Sequence, residues 1–242
     1  MPEAAERKAL ERGLQKLNEN MLTLAELSEL AIRKAVDGLT RVDPEIAHEV
    51  FTLDQEVYGL QLEIERTCVD LLALHAPVAR DLRTITTSLK ITTDLDRIGR
   101  YAKDMGEITL QFGARGQRMD PGVARIREMA DRSIQMVDTA IDAFVHRDAD
   151  SVRNITEVDD AVDELNDLNF RDIVQRMKEG KLDIETGARY LLVNRYFERI
   201  ADHAVNIGLR VVYMVTGDWL PRVRAADRAK RRDAAAPKGP PP

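Results

Sequence analysis

The chain contains a copy of its own first half. At an offset of 105 residues, Ala35-Val36-Asp37-Gly38-Leu39 falls on Ala140-Ile141-Asp142-Ala143-Phe144. At the same offset Val50, Asp54, Val57 and Leu60 fall on Ile155, Asp159, Val162 and Leu165. After a slip of three residues, Asp96-Arg97-Ile98-Gly99 falls on Glu198-Arg199-Ile200-Ala201 at offset 102. Coincident apolar positions are expected of any helical bundle, but coincident Asp37, Asp54 and acid-Arg-Ile positions are harder to explain by periodicity alone. A repeat of this length restricts the fold to two copies of one supersecondary unit.

The unit reads as three long helices. Leu10, Leu14, Leu17, Met21, Leu24, Ala31 and Ala35 keep the three-and-four spacing of a helix with one buried face, which ends near Arg41. Asp43 then supplies an N-cap and Pro44 the first helical residue, where a missing N–H costs nothing. Val50, Leu53, Val57, Leu60, Ile64 and Leu71 continue the spacing up to Pro77, and a third helix runs from about Val78 to Gln111 before the Gly113 to Gly116 turn. Asp120 and Pro121 repeat the start signal, and three more helices are predicted at roughly 121–146, 149–179 and 184–216. Each is about 30 residues, hence ~45 Å long, and short connections make neighbours antiparallel. The expected fold is all-α: two tandem three-helix repeats over 1–116 and 117–218, then a disordered basic, Pro-rich tail over 219–242.

Charge narrows the function. The formal net charge of -6 hides a tail with seven Lys or Arg against two Asp, leaving a body near -11. Such a body argues against nucleic acid, which needs clustered Lys and Arg, and suits cations. Cys68 is the only cysteine, so no intrachain disulfide is expected. With no apolar leader in MPEAAERKALERG and no run of about 18 apolar residues, the expectation is a cytoplasmic protein that meets membranes only through partners. No Ser-His-Asp order, glycine-rich phosphate loop or CxxC is present, so no catalytic residue is assigned and the protein is not expected to be an enzyme.

TTDLDRIGRYAKDMGE at 92–107 and YFERIADHAVNIGLRVVYMVTG at 196–217 are similar to the two acid-Arg-Ile-small-Asp motifs of the PhoU family, and DLRTITTSLKITTDLDRIG at 81–99 resembles its third helix. The resemblance spans about residues 10–217. It implies a regulator that restrains phosphate uptake and the phosphate-starvation response, acting beside the phosphate-specific ABC transporter and a sensor histidine kinase. A homodimer is compatible with it, and several family members bind metal through paired acidic motifs.

The chemistry of those motifs follows from helix geometry. Residues four apart share a face, so Glu198 and Asp202 present two carboxylates together, as do Asp159 and Asp163, with Asp160 adjacent. Four carboxylates converging between helices 5 and 6 need a cation, a proton or an Arg partner. An all-oxygen set suits a divalent or iron cation (magnesium, manganese, calcium, iron or zinc), with His203 and Asn206 only tuning it. The competing reading is solvated ion pairs with Arg195, Arg199 and Arg171. Arg97 and Arg199 are expected to reach acids of neighbouring helices or to form exposed salt bridges. Gly99, Gly106, Ala201 and Gly208 mark close helix approach.

In family members both repeats commonly carry the paired acids, and this chain departs from that. In the first repeat Asp54 is followed four residues later by Tyr58, and Asp96 by Arg100. Arg100 is expected to sit between Asp54 and Asp96 in place of a metal, leaving one metal site in the second repeat. Glu45 and His48 form a single Glu-x-x-His, which di-iron bundles carry twice, so a di-metal oxidase or storage bundle is the weaker alternative. His75 reads as a capping or solvent-facing residue. A purely structural interaction module is the third reading.

Overall fold

Local chemistry sets where the helices start and stop. The computed structural model describes residues 2–118, 120 and 125–219. Within them lie six helices: α1 (Pro2–Arg41), α2 (Pro44–His75), α3 (Ala79–Ala114), α4 (Arg125–His146), α5 (Ile155–Lys178) and α6 (Ile184–Thr216). Val42 turns the chain at φ 54°, and the Asp43 carboxylate then accepts from the N–H groups of Glu45 at 2.9 Å and Ile46 at 3.4 Å. A cap of this kind contributes about 1 kcal/mol. Asp183 caps α6 in the same way, accepting from Thr186 N at 2.9 Å. Gly217 closes α6 at φ 85°, a left-handed turn that glycine adopts without a Cβ clash.

One boundary departs from the sequence reading by more than a helical turn. α5 begins at Ile155, not near 149. The Asp148 carboxylate accepts from the N–H groups of Asp150 at 2.9 Å and Ser151 at 3.3 Å, a local turn that competes with helix. Consequently α5, at 24 residues, is shorter than expected. The predicted start of helix 4 at Pro121 and the predicted tail beyond Trp219 lie outside the described residues.

α1, α2 and α3 pack on one another, as do α4, α5 and α6, and the two sets join along α3 against α6 and α1 against α4. A continuous core runs through both, from Leu17, Leu24 and Ile32 in α1 to Phe197, Ile200 and Val211 in α6. The repeats duplicate their contacts as well as their residues. Ser28 places its hydroxyl 2.8 Å from Leu24 O and 3.4 Å from Leu95 O, and Ser133 stands 2.8 Å from Met129 O and 3.1 Å from Phe197 O. A Cβ on Gly106 would meet Phe51 Cε1 at 3.1 Å, and one on Gly208 would meet Ile155 Cδ1 at 3.0 Å. Arg33 pairs with Asp138, its own counterpart position, at 3.1 Å.

Candidate functional site

In the second repeat, α5 supplies Asp159 and Asp163 and α6 supplies Glu198 and Asp202. Asp159 is 1% exposed and Glu198 5%, so neither is a solvated surface acid, although the expected pairs of Arg195 with Glu198 and Arg199 with Asp202 are both present. Asp163 and Asp202 are half-buried at the rim. Glu198 forms an ion pair with Arg195 of its own helix. Burial pushes the Glu198 carboxyl above the usual range, the charges of Asp202 and Asp163 push it further, and Arg195 and Arg199 oppose them. Three of the four predicted acids therefore share one electrostatic neighbourhood. The donors are hard oxygens suited to a cation, but they are not drawn into a ready ligand set: among the described residues no three His, Cys, Asp or Glu side chains gather closely enough to hold a metal.

In the first repeat cations offset part of the acidic charge. Arg100 Nε donates to Asp96 Oδ2 at 3.0 Å, with its guanidinium 5.9 Å from the centre of the Tyr58 ring. Burial pushes the Asp54 carboxyl up, Lys103 and then Arg100 oppose this, and Asp96 adds to it. Arg100 thus bonds Asp96 and reaches Asp54 through its field alone, where hydrogen bonds to both had been expected. Lys103 and Asp104 also belong to this cluster, Asp104 being raised by burial first and then by the charges of Glu107 and Asp54. Their signal lay in the sequence: both fall one helical turn from Arg100, and two from Asp96, along α3.

The other residues singled out in the sequence are placed as follows. Of the two readings given for Arg199, the exposed salt bridge is the one seen, to Asp202 on its own helix at 3.9 Å, and Arg97 is exposed. His48 lies edge-on to Phe51 at 5.7 Å, on the exposed side of α2. His75 is half-buried in the last turn of α2, and its Nδ1 is buried without a hydrogen-bond partner, so that nitrogen caps nothing. His203 and Asn206 both reach an acid outside the predicted set. Asp94, 6% exposed, joins His203 Nδ1 at 2.9 Å, and accepts from Arg210 Nε at 3.2 Å and Asn206 Nδ2 at 3.4 Å. This polar lock ties α3 to α6 between the repeats, beside Tyr101, which stacks on Tyr196 at 5.7 Å and tilts against His203 at 5.9 Å. At 100° per residue, Asp94 points about 200° away from Asp96, so one strand of acids serves two faces.

Among the described residues no helix is long and apolar enough to cross a membrane. The family model of the PhoU domain matches residues 21–109 and 126–211. The chain is 31% identical to the phosphate-specific transport system accessory protein PhoU homolog of Clostridium acetobutylicum, over 87% of this chain and 96% of that protein. It is 32% identical to the homolog of the same name from Synechocystis, over 88% and 93% respectively. Its fold is similar to the crystal structure of PhoU from Pseudomonas aeruginosa, with a TM-score of 0.82 and 31% identity over 86% of this chain and 99% of that one. The phosphate transport system regulatory protein PhoU from Streptococcus pneumoniae is similar too, with a TM-score of 0.80 and 28% identity over 88% and 99%.

Proposed function

Since the chain belongs to the PhoU family, we propose that it regulates phosphate uptake and the phosphate-starvation response by binding at the cytoplasmic face of a phosphate-specific ABC transporter, its sensor histidine kinase, or both. The observation that carries this reading is similarity to proteins named as phosphate transport accessories along almost the whole of both chains. The proposed action is by association, with no catalytic step. Helix faces outside the shared core supply the docking surface, since the apolar faces are largely consumed between the helices. A pulldown from phosphate-replete cells should recover the transporter ATPase or the kinase; recovery of neither overturns the reading. Size-exclusion chromatography with light scattering tests whether the active species is a homodimer.

One observation favours a second property of the acidic face. Burial first, and then the charges of Asp202 and Asp163, push the Glu198 carboxyl up, so a cation there would relieve the part of this that is repulsion between acids. Glu198, Asp202, Asp159 and Asp163 would be its donors, and the cation would compete with Arg195. Magnesium, manganese, calcium, iron and zinc are the candidates. Protein purified without chelator should then lose metal in Asp202→Ala and keep it in Asp96→Ala. Loss only in Asp96→Ala would place the metal in the wrong repeat.

A further inference from the structure

Away from the acidic faces, the start of α3, the N-terminal part of α1 and the turn between α4 and α5 line a half-open cleft of about 410 Å³. Its walls carry three guanidiniums, Arg7, Arg80 and Arg147, with Asp81, Asn18 and Thr84 among them. In a body with a large excess of acid, such a gathering runs against the average charge. Arg147 sits at φ 55°, left-handed backbone that a non-glycine residue rarely adopts, in the turn that separates α4 from α5. Both of its terminal nitrogens donate to the Thr84 hydroxyl at 3.1 Å. Among the described residues, neither Arg80 nor Arg147 has a carboxylate within ion-pair distance, although Asp81 lines the same cleft. Burial and then the charges of Arg80 and Arg83 push the Arg147 guanidinium below its usual value, against the opposing pull of Asp81. Arg83 is occupied elsewhere, donating to Met214 O at the end of α6 at 3.3 Å.

Arg7 is paired with Glu11 at 3.3 Å, so Arg80 and Arg147 against Asp81 leave the cleft net positive, and two guanidiniums on one side favour an anion with several oxygens. Guanidinium forks match the oxygens of a tetrahedral anion. Asp81 adds selectivity, because an ionised carboxylate is an acceptor only. It can receive the hydroxyl of a protonated phosphate, whereas fully ionised sulfate offers it nothing but repulsion. The volume lies within the range of about 300–1,000 Å³ typical of small-molecule sites, with room for more than one phosphoryl group. We propose that this cleft is a site for a phosphate oxyanion, either free inorganic phosphate or a pyrophosphate-length chain, held by Arg80 and Arg147 and selected over sulfate by Asp81.

Isothermal titration of the full chain with inorganic phosphate, pyrophosphate and sulfate, at about 150 mM salt to screen exposed charges, tests this. Saturable binding of one phosphate species per chain is expected, with sulfate roughly tenfold weaker or more, as loss of a hydrogen bond to a charged group implies. The tighter of phosphate and pyrophosphate identifies the source of the anion. Arg80→Ala and Arg147→Lys should each weaken binding by roughly tenfold, and Asp81→Asn should let sulfate bind as phosphate does. Arg80 is exposed, so Arg80→Ala should keep the wild-type melting profile and stay informative if Arg147→Lys disturbs its turn. No saturable binding, sulfate equal to phosphate in the wild type, or unchanged affinity in Arg80→Ala would each overturn the site. None of these outcomes touches the partner reading, since no partner enters the measurement.

Discussion

Glu198 carries a carboxyl that the fold holds above its unfolded value, chiefly through burial and then through Asp202. The folded chain therefore grips that proton more tightly than the unfolded one. Below the ordinary carboxylate range the group costs nothing; the cost enters as pH rises through that range and is complete above the raised value. Glu198→Gln keeps the shape and removes the charge. It should raise the urea midpoint at neutral pH more than in acid, with an unchanged denaturant slope. An equal midpoint shift at both pH values would show that the change acts through packing and not through the proton. Asp54 is raised by the same leading cause, yet there Lys103 and Arg100 offset part of it, so Asp54→Asn should show a smaller pH-dependent gain in the same titration.

At the scale of the helices, the duplicated glycines set how closely α3 lies on α2 and α6 on α5. A Cβ at Gly106 would stand 3.1 Å from Phe51, and at Gly208 3.0 to 3.3 Å from Ile155 and Val152. Gly106→Val and Gly208→Val should each lower stability by about 1–3 kcal/mol, the usual cost of overpacking. Gly59 is the contrasting case, for nothing lies within 4 Å of a Cβ there. Gly59→Ala should gain about 0.8–1.0 kcal/mol from helix propensity alone. Chemical denaturation of the three variants checks both signs, and a gain in Gly208→Val would mean that the α5–α6 contact yields easily. The glycines were legible in sequence as close-approach positions, because small residues recurred at matched places in both repeats. The matched Ser28 and Ser133 were passed over, since a serine on an apolar face gives no sign of which carbonyl stands opposite until the partner helix is placed.

For the whole molecule, the Asp94 lock decides how firmly the repeats are joined. Removing one member of a buried, hydrogen-bonded charge pair costs about 3–5 kcal/mol. Arg210 and His203 are partly exposed, at 26% and 19% of their side-chain surface, and can regain water. Asp94→Ala should therefore fall at about 3 kcal/mol, the low end of that range. A double-mutant cycle with Arg210→Met should return a coupling of roughly 1–3 kcal/mol, and additive effects would mean that the bond contributes nothing across the interface. The helices, their caps at Asp43 and Asp183, the duplication and the acidic pairs on shared faces were all determined by the sequence itself, because helix period and capping act within a few residues of chain. The start of α5 escaped only because Asp148 offered its own backbone a competing turn. The tertiary structure alone decided which face each charge serves. Asp94 and Asp96 are two residues apart, yet one bonds across the repeats and the other bonds Arg100 on its own helix. Likewise Arg7, Arg80 and Arg147 meet in one cleft from three separate segments. Sequence spacing fixes direction around one helix axis, but the partner across an interface depends on how the helices are docked, and no local rule contains that.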